Sequence, residues 1–237
     1  MSVNRAQTMK PLLYLAAGEQ FPAEKLLQAV EAIVVDAWAL QGAASLRRPD
    51  RGQAPCLLLA RTGPAETIDE EGLASLLPDV DGIVVMACRG PADIQKLDVM
   101  LKVAEAIAGV PQGRTALLAE YATVAESVLS PHSMAGVSPR LSALVFDASA
   151  LAAACRCQRV TGTGDAPAVI RAGRAAAVLR ASEAGIAAYE MLPADALDKA
   201  AVRRLWTNSL DNGFSAVAAG SLEQLELLAD AGASDEI

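Results

Sequence analysis

The stretch GIVVMACRGPADIQKLDVMLKVAEAIAG, residues 82–109, holds two different periodicities. Gly82–Ala87 is apolar without alternation, which is the pattern of a strand covered on both faces. Ala92–Ala108 then reads as a helix, with Asp93, Lys96, Asp98 and Lys102 on its solvated side. A buried strand followed by a helix is the repeating unit of a parallel sheet, because parallel neighbours need a crossover.

The same unit recurs along the chain. Strands are expected at Leu12–Ala16, Ile33–Asp36, Cys56–Arg61, Gly82–Ala87, Ala116–Glu120, Ala143–Asp147, Ile186–Met191 and Ser215–Ala219. Helical patterns lie between them, at Phe21–Val30, Ile68–Leu77, Ala92–Ala108 and Pro167–Ala184, the last ending at Gly185. About eight such units in 237 residues fit an α/β (β/α)₈ TIM barrel, whose usual length is ~250 residues. The competitor is a doubly wound open sheet. It has fewer strands and, when it binds a dinucleotide, a GxGxxG first turn, whereas the first turn here reads LAAGEQFPAEK. No boundary or internal repeat stands out, so residues 1–237 are read as one domain.

Composition narrows the function. The chain is 53% hydrophobic and only 3% aromatic, so alanine and aliphatic side chains build its core. A formal net charge of −8 and the lack of a basic run with interleaved aromatics argue against nucleic acid. No apolar run reaches the ~18 residues of a membrane span, and PLLYLAAG reads as a first strand rather than a leader. The thiols of Cys56, Cys88, Cys155 and Cys157 form no CxxC pair, which fits a reduced, cytoplasmic protein. Cys155-x-Cys157 is a weak metal motif, since His132 is the only histidine. The segment TGTGDAPA reads as a plain surface turn, with phosphate binding as the weaker alternative.

In a (β/α)₈ barrel the site lies at the carboxyl ends of the strands. The polar residues there are Asp36, Arg61, Glu120, Asp147 and Glu190. Several carboxylates around one mouth can hold a hard cation through oxygen ligands. Asp36 and Asp147 also suit the simpler role of capping the helix that follows, and Arg61 that of pairing with a neighbouring carboxylate. Glu120 is set apart from the next helix by Tyr121, Ala122 and Thr123, which favours the pocket.

At these positions the chain resembles the HpcH/HpaI aldolase and citrate lyase beta-subunit superfamily, in order and over nearly its whole length. PLLYLAAG resembles the family's LLFVPG, VEAIVVDAWAL its ADAVILDLEDAV, and ARTGPAET its RVNPxGT. DGIVVMACRGPADI resembles GIMLPKVESAEDV, TALLAEYA resembles ALIETA, and LSALVFDASALAA resembles VDALVFGTEDLAA. RAAAVLRASEAGIAAYEML is similar to RVVLAARAAGVPAIDGVY, and NGFSAVAAGSLEQL to LGFDGKxxIHPSQI. The resemblance implies a TIM barrel that makes or breaks carbon–carbon bonds in 2-oxo acids or acyl-CoA thioesters of the citryl-, malyl- or citramalyl-CoA type. It implies Mg²⁺ or another divalent ion, and a trimer or hexamer. It places Arg61 on the substrate-binding arginine, Glu120 on the metal-ligand glutamate and Glu190 on the aspartate of the seventh motif. Asp36 and Trp38 fall beside the substrate, and Asp147 or Asp36 becomes a substitute second metal ligand.

The departures are specific. The second metal ligand of the family falls on Ala150, and the acidic pair of LDLEDA on Trp38 and Ala39. Two polar positions of PKVES fall on Ala87 and Arg89, and the lysine of GFDGK falls on Val217. With its carboxylate pair incomplete, the free protein is expected to hold Mg²⁺ weakly or not at all, with Trp38 filling part of the pocket. Two readings follow: a metal-dependent carbon–carbon lyase with an altered site, or a non-catalytic paralogue whose barrel binds a carboxylate, an acyl-CoA or a partner subunit. A homotrimer is expected for either.

Overall fold

The computed structural model describes residues 9–16, 18–37 and 56–232. Its strands are β1 (Leu12–Leu15), β2 (Ala32–Asp36), β3 (Leu57–Thr62), β4 (Gly82–Cys88), β5 (Ala116–Tyr121), β6 (Leu141–Phe146), β7 (Ala187–Met191) and β8 (Ala216–Ala219). All neighbours are parallel and follow chain order, and Leu12 and Leu13 close the ring against Ala218 and Ala219. The architecture is the (β/α)₈ barrel expected from the strand pattern. The helices are α1 (Glu24–Leu27), α2 (Glu70–Leu76), α3 (Pro91–Ala108), α4 (Ala125–Leu129), α5 (Ala148–Ala154), α6 (Ala168–Ala184), α7 (Lys199–Asp211) and α8 (Leu222–Gly232).

Strand side chains alternate between two apolar environments, which is why the runs look continuous. Leu12, Val34, Leu59, Val84, Leu118, Val145, Tyr189 and Ala218 fill the barrel interior. Leu13, Ile33, Leu58, Ile83, Leu117, Leu144 and Ala188 pack outward under the helices. Small residues set the closeness of the layers. A Cβ at Gly82 would lie 2.5 Å from the Ala116 carbonyl oxygen, so the base of β4 can approach β5 only without a side chain.

Aspartates start several helices. Asp69, Asp147 and Asp198 accept bonds from the backbone N–H groups of Gly72, of Ser149 and Ala150, and of Ala201. Gly109 and Gly185 end α3 and α6 with φ of 67°, the left-handed turn in which glycine costs least. The first helix is shorter than its apolar pattern, covering Glu24–Leu27 without a side-chain N-cap.

Two residues assigned to the wet side of α3 are buried. Asp93 takes the backbone N–H of Arg89 at 2.8 Å, and Asp98 accepts from Ser138 at 2.9 Å and Arg140 at 3.1 Å. Asp98 and Glu105 ride at helical spacing with Ile94, Leu97, Leu101 and Ala104 on the buried stripe, and their charges are matched rather than solvated. Glu105 is fully buried and receives both arms of Arg140, at 2.6 and 2.7 Å, plus the N–H groups of Gly113 and Thr115. Burial would raise this carboxyl, but those four donors outweigh it and hold its pKa at about 2. The network joins the end of α3 to the residues just before β5 and β6, at the amino-terminal face of the barrel.

Candidate functional site

The carboxyl ends of β2, β3 and β5 bring three of the expected residues into contact. Asp36 and Arg61 are register partners on adjacent strands. Alternation from the inner residues Val34, Leu59 and Leu118 sends Asp36, Arg61 and Glu120 toward the barrel axis. Arg61 reaches past β4 to grip Glu120 with two parallel bonds, Nε to Oε1 at 2.6 Å and Nη2 to Oε2 at 2.9 Å. Its Nη1 stands 3.4 Å from Asp36 Oδ2, a longer contact. The Glu120 side chain is 5% exposed and that of Arg61 24%, so the pair is dry on one side and open on the other.

Burial pushes the Glu120 carboxyl above the usual carboxylate range; Arg61 pulls it back, while Asp147 and Asp36 add to the push. Burial would loosen the Arg61 proton, but the bond to Glu120 more than offsets it and keeps the guanidinium charged. The two bonds to Glu120 and the longer one to Asp36 use three of the five guanidinium N–H groups, so two donors remain for an arriving carboxylate.

Asp147 follows the inner residue Val145 by two positions, and its charge acts on Glu120. Its Oδ1 is occupied by capping α5, at 2.7 Å from the Ser149 nitrogen and 3.2 Å from that of Ala150. Capping and facing the mouth are therefore both properties of this residue. Ala150 sits half-buried in the first turn of α5, beside the same carboxylate.

Glu190, expected beside the substrate, does not join the others. Tyr189 and Met191 face the interior, so Glu190 points outward between strand and helices. Arg174 of α6 binds both its oxygens at 2.7 Å, and the Ser209 hydroxyl of α7 donates at 2.6 Å. It clamps two helices to β7. Trp38 lies outside the described residues.

Tyr14 belongs to the site although nothing in its sequence context singled it out. It packs against the inner cluster from β1, opposite Val34. Its hydroxyl oxygen is buried and has no hydrogen-bond partner among the described residues. Burial, with the Glu120 charge adding, holds the phenol well above its usual value, and the charges of Arg61 and Asp147 also reach it. An unmet buried hydroxyl costs about 1–3 kcal/mol. The one available signal is its position two residues after inward-facing Leu12.

The backbone around the mouth is held tightly. Ala87 and Ala122, at the ends of β4 and β5, carry φ of 48° and 58°. This left-handed conformation costs a non-glycine residue on the order of 1 kcal/mol and is concentrated at functional sites. Among the described residues, no group of three histidine, cysteine, aspartate or glutamate side chains is placed to hold a metal ion. With both Glu120 oxygens on Arg61 and Asp147 Oδ1 on the α5 cap, the side chains as they stand do not fit a resident divalent ion. Cys155 and Cys157 are free thiols. The loop at Thr161–Asp165 is a turn closed on itself, with Asp165 bonded to the Thr161 and Thr163 hydroxyls.

No protein-family sequence model matches the chain, and no curated protein matches it. Solved structures do share its fold. RipC from Yersinia pestis is similar at a TM-score of 0.68 and 20% identity, over 94% of each chain. The citrate lyase beta subunit from M. tuberculosis, solved with oxaloacetate and magnesium, gives 0.62 and 15%, over 95% of this chain and 97% of that one. A malate synthase from Haloferax volcanii, solved as a pyruvate/acetyl-CoA ternary complex, gives 0.71 and 17%, over 96% of this chain and 70% of that one. At these identities the likeness is one of fold.

Proposed function

We propose that the chain is a divergent, single-domain member of the HpcH/HpaI aldolase and citrate lyase beta-subunit superfamily, and that its barrel mouth binds the carboxylate end of a 2-oxo acid or an acyl-CoA thioester. The observation that carries this reading is the two-point Arg61–Glu120 pair. Glu120 fixes the guanidinium plane and leaves two outer N–H donors, one each on Nη1 and Nη2, for a ligand beside the longer contact to Asp36, a geometry suited to planar carboxylates. The fold shared with a citrate lyase beta subunit solved with oxaloacetate supports the same class of ligand.

Binding without a resident metal is the reading these side chains favour, because the Glu120 oxygens are already taken. The lyase reading keeps one argument. Asp36, Glu120 and Asp147 are hard oxygen donors around a single mouth, the donor type a divalent ion takes when substrate oxygens complete its shell.

The deciding experiment is calorimetric titration with oxaloacetate, pyruvate and an acyl-CoA, each with and without Mg²⁺, followed by assay of carbon–carbon cleavage. Binding that is independent of Mg²⁺, without turnover, supports the binding protein. Binding that needs Mg²⁺ and is followed by cleavage supports the lyase. We further take the protein to be a cytoplasmic homotrimer. Its four cysteines, all outside disulfides, and the exposed Val99, Val103 and Ile107, successive turns apart on α3, support this, and light scattering tests the assembly. No helix among the described residues is long and apolar enough to cross a membrane.

A further inference from the structure

The geometry points to Tyr14 as a ligand-binding residue of the mouth: its hydroxyl donates a hydrogen bond to an oxygen of the bound acid whose carboxylate the outer edge of Arg61 holds. This rests on the reading of the mouth as a carboxylate site and extends it to a second donor. Three observations carry it. The side chain enters the interior from β1. Its oxygen is buried and has no partner among the described residues. The charged groups that act on that oxygen are Glu120, Arg61 and Asp147, the residues of the mouth itself.

A buried hydroxyl is almost always hydrogen-bonded, and an exception asks for an explanation. No chemistry inside the described protein supplies one here. Glu120 is engaged by Arg61 through both oxygens, and Asp147 Oδ1 is turned to the α5 cap. A phenol is neutral at physiological pH, so it offers one O–H donor and suits an anionic or carbonyl oxygen. Arg61 and Tyr14 would then hold one ligand from two sides: the guanidinium by charge and a flat edge, the phenol by a single directed bond. A 2-oxo acid presents two such oxygens, a carboxylate and a carbonyl next to it. That pair suits two separate donors better than a simple acid does.

Tyr14→Phe removes the oxygen and leaves the ring. Calorimetry with oxaloacetate, pyruvate and acetate on both proteins, together with thermal melts of the free forms, tests the assignment. The expected result is a loss of about tenfold to a hundredfold in affinity for the two oxo acids, the range of a hydrogen bond to a charged group. A smaller loss is expected for acetate. The melting temperature of the free variant should be unchanged or higher, since an unmet buried hydroxyl has been removed. A variant that binds the oxo acids as well as the parent protein would overturn the role of Tyr14 while leaving the carboxylate site intact. A marked fall in melting temperature would do the same, because it would reveal a structural partner for the hydroxyl. If the parent protein bound none of the three acids, both this assignment and the reading of the mouth would fall.

Discussion

At position 150 a methyl group stands where the family that the sequence resembles carries a carboxylate. Ala150 is the third residue of α5, and its N–H is already bonded to Asp147. An acidic side chain in the first turn of a helix is favoured by the helix dipole, by about 0.3–1 kcal/mol, so Ala150→Asp should fold. It would add an oxygen donor in the first turn of α5, next to Asp147. We expect Mg²⁺ binding that is weak or undetectable in the parent protein and at least about tenfold tighter in the variant, read by calorimetry. No binding in either form would mean that Arg61 does not release Glu120 to an ion. Much of the mouth was legible one residue at a time, because charge at the end of an apolar strand is visible in a sequence. Glu190 shows the limit. It has the same sequence context as Glu120, yet the period-two alternation of its strand points it to the helices, where Arg174 and Ser209 take it.

The elements are positioned by contacts that sequence patterns do not encode. Gly173 lies inside α6, where an isolated glycine costs about 1 kcal/mol of helix propensity relative to alanine. A Cβ there would collide with the Leu151 side chain and stand 3.1 Å from Phe146 Cε2 and 3.3 Å from the Ala122 carbonyl oxygen. Leu151 and Phe146 are fully buried, so neither has room to withdraw. Overpacking of this kind costs about 1–3 kcal/mol, which exceeds the propensity gain. Gly173→Ala should therefore lower the melting temperature by about 2–6 °C, although a helix scale alone says the opposite. A higher melting temperature would show that α6 can shift away from β6.

Across the whole molecule, two ion-pair systems occupy opposite ends of the barrel and differ in kind. The Arg61 pair at the carboxyl end is partly open. The Arg140 network at the amino end is closed, with Arg140 and Glu105 both buried and Glu105 holding four donors. That makes Glu105 a source of acid sensitivity. Folding lowers its pKa from 4.5 to about 2, so its contribution is complete above roughly pH 5 and is lost as the pH falls toward 2. The full effect is about 3 kcal/mol. Urea unfolding between pH 7 and pH 3 should show stability falling below pH 5, with a flatter profile in Glu105→Gln. At neutral pH that variant should be less stable by about 3 kcal/mol, because Arg140 loses the charge at Glu105 that takes two of its bonds and keeps only Asp98 as a counter-charge. A wild-type profile with no acid slope would remove Glu105 from this role.

The eight apolar runs and the helical stretches between them determined the barrel, since strands buried on both faces and joined by helices close into few architectures. Arg61 and Glu120 were legible for the same reason: once strand ends are known, the mouth is known. Tertiary structure alone decided which face each residue serves. Asp93 and Asp98 look like surface charges on α3 until Arg89 and Arg140 meet them from outside that helix. Tyr14 looks like one more apolar strand residue until closure of the ring turns its hydroxyl toward charges from β3, β5 and the end of β6. The physical reason is common to all of them. A local pattern records the periodicity of one segment, whereas burial and hydrogen-bond partnership depend on residues tens of positions away that only the closed barrel brings together.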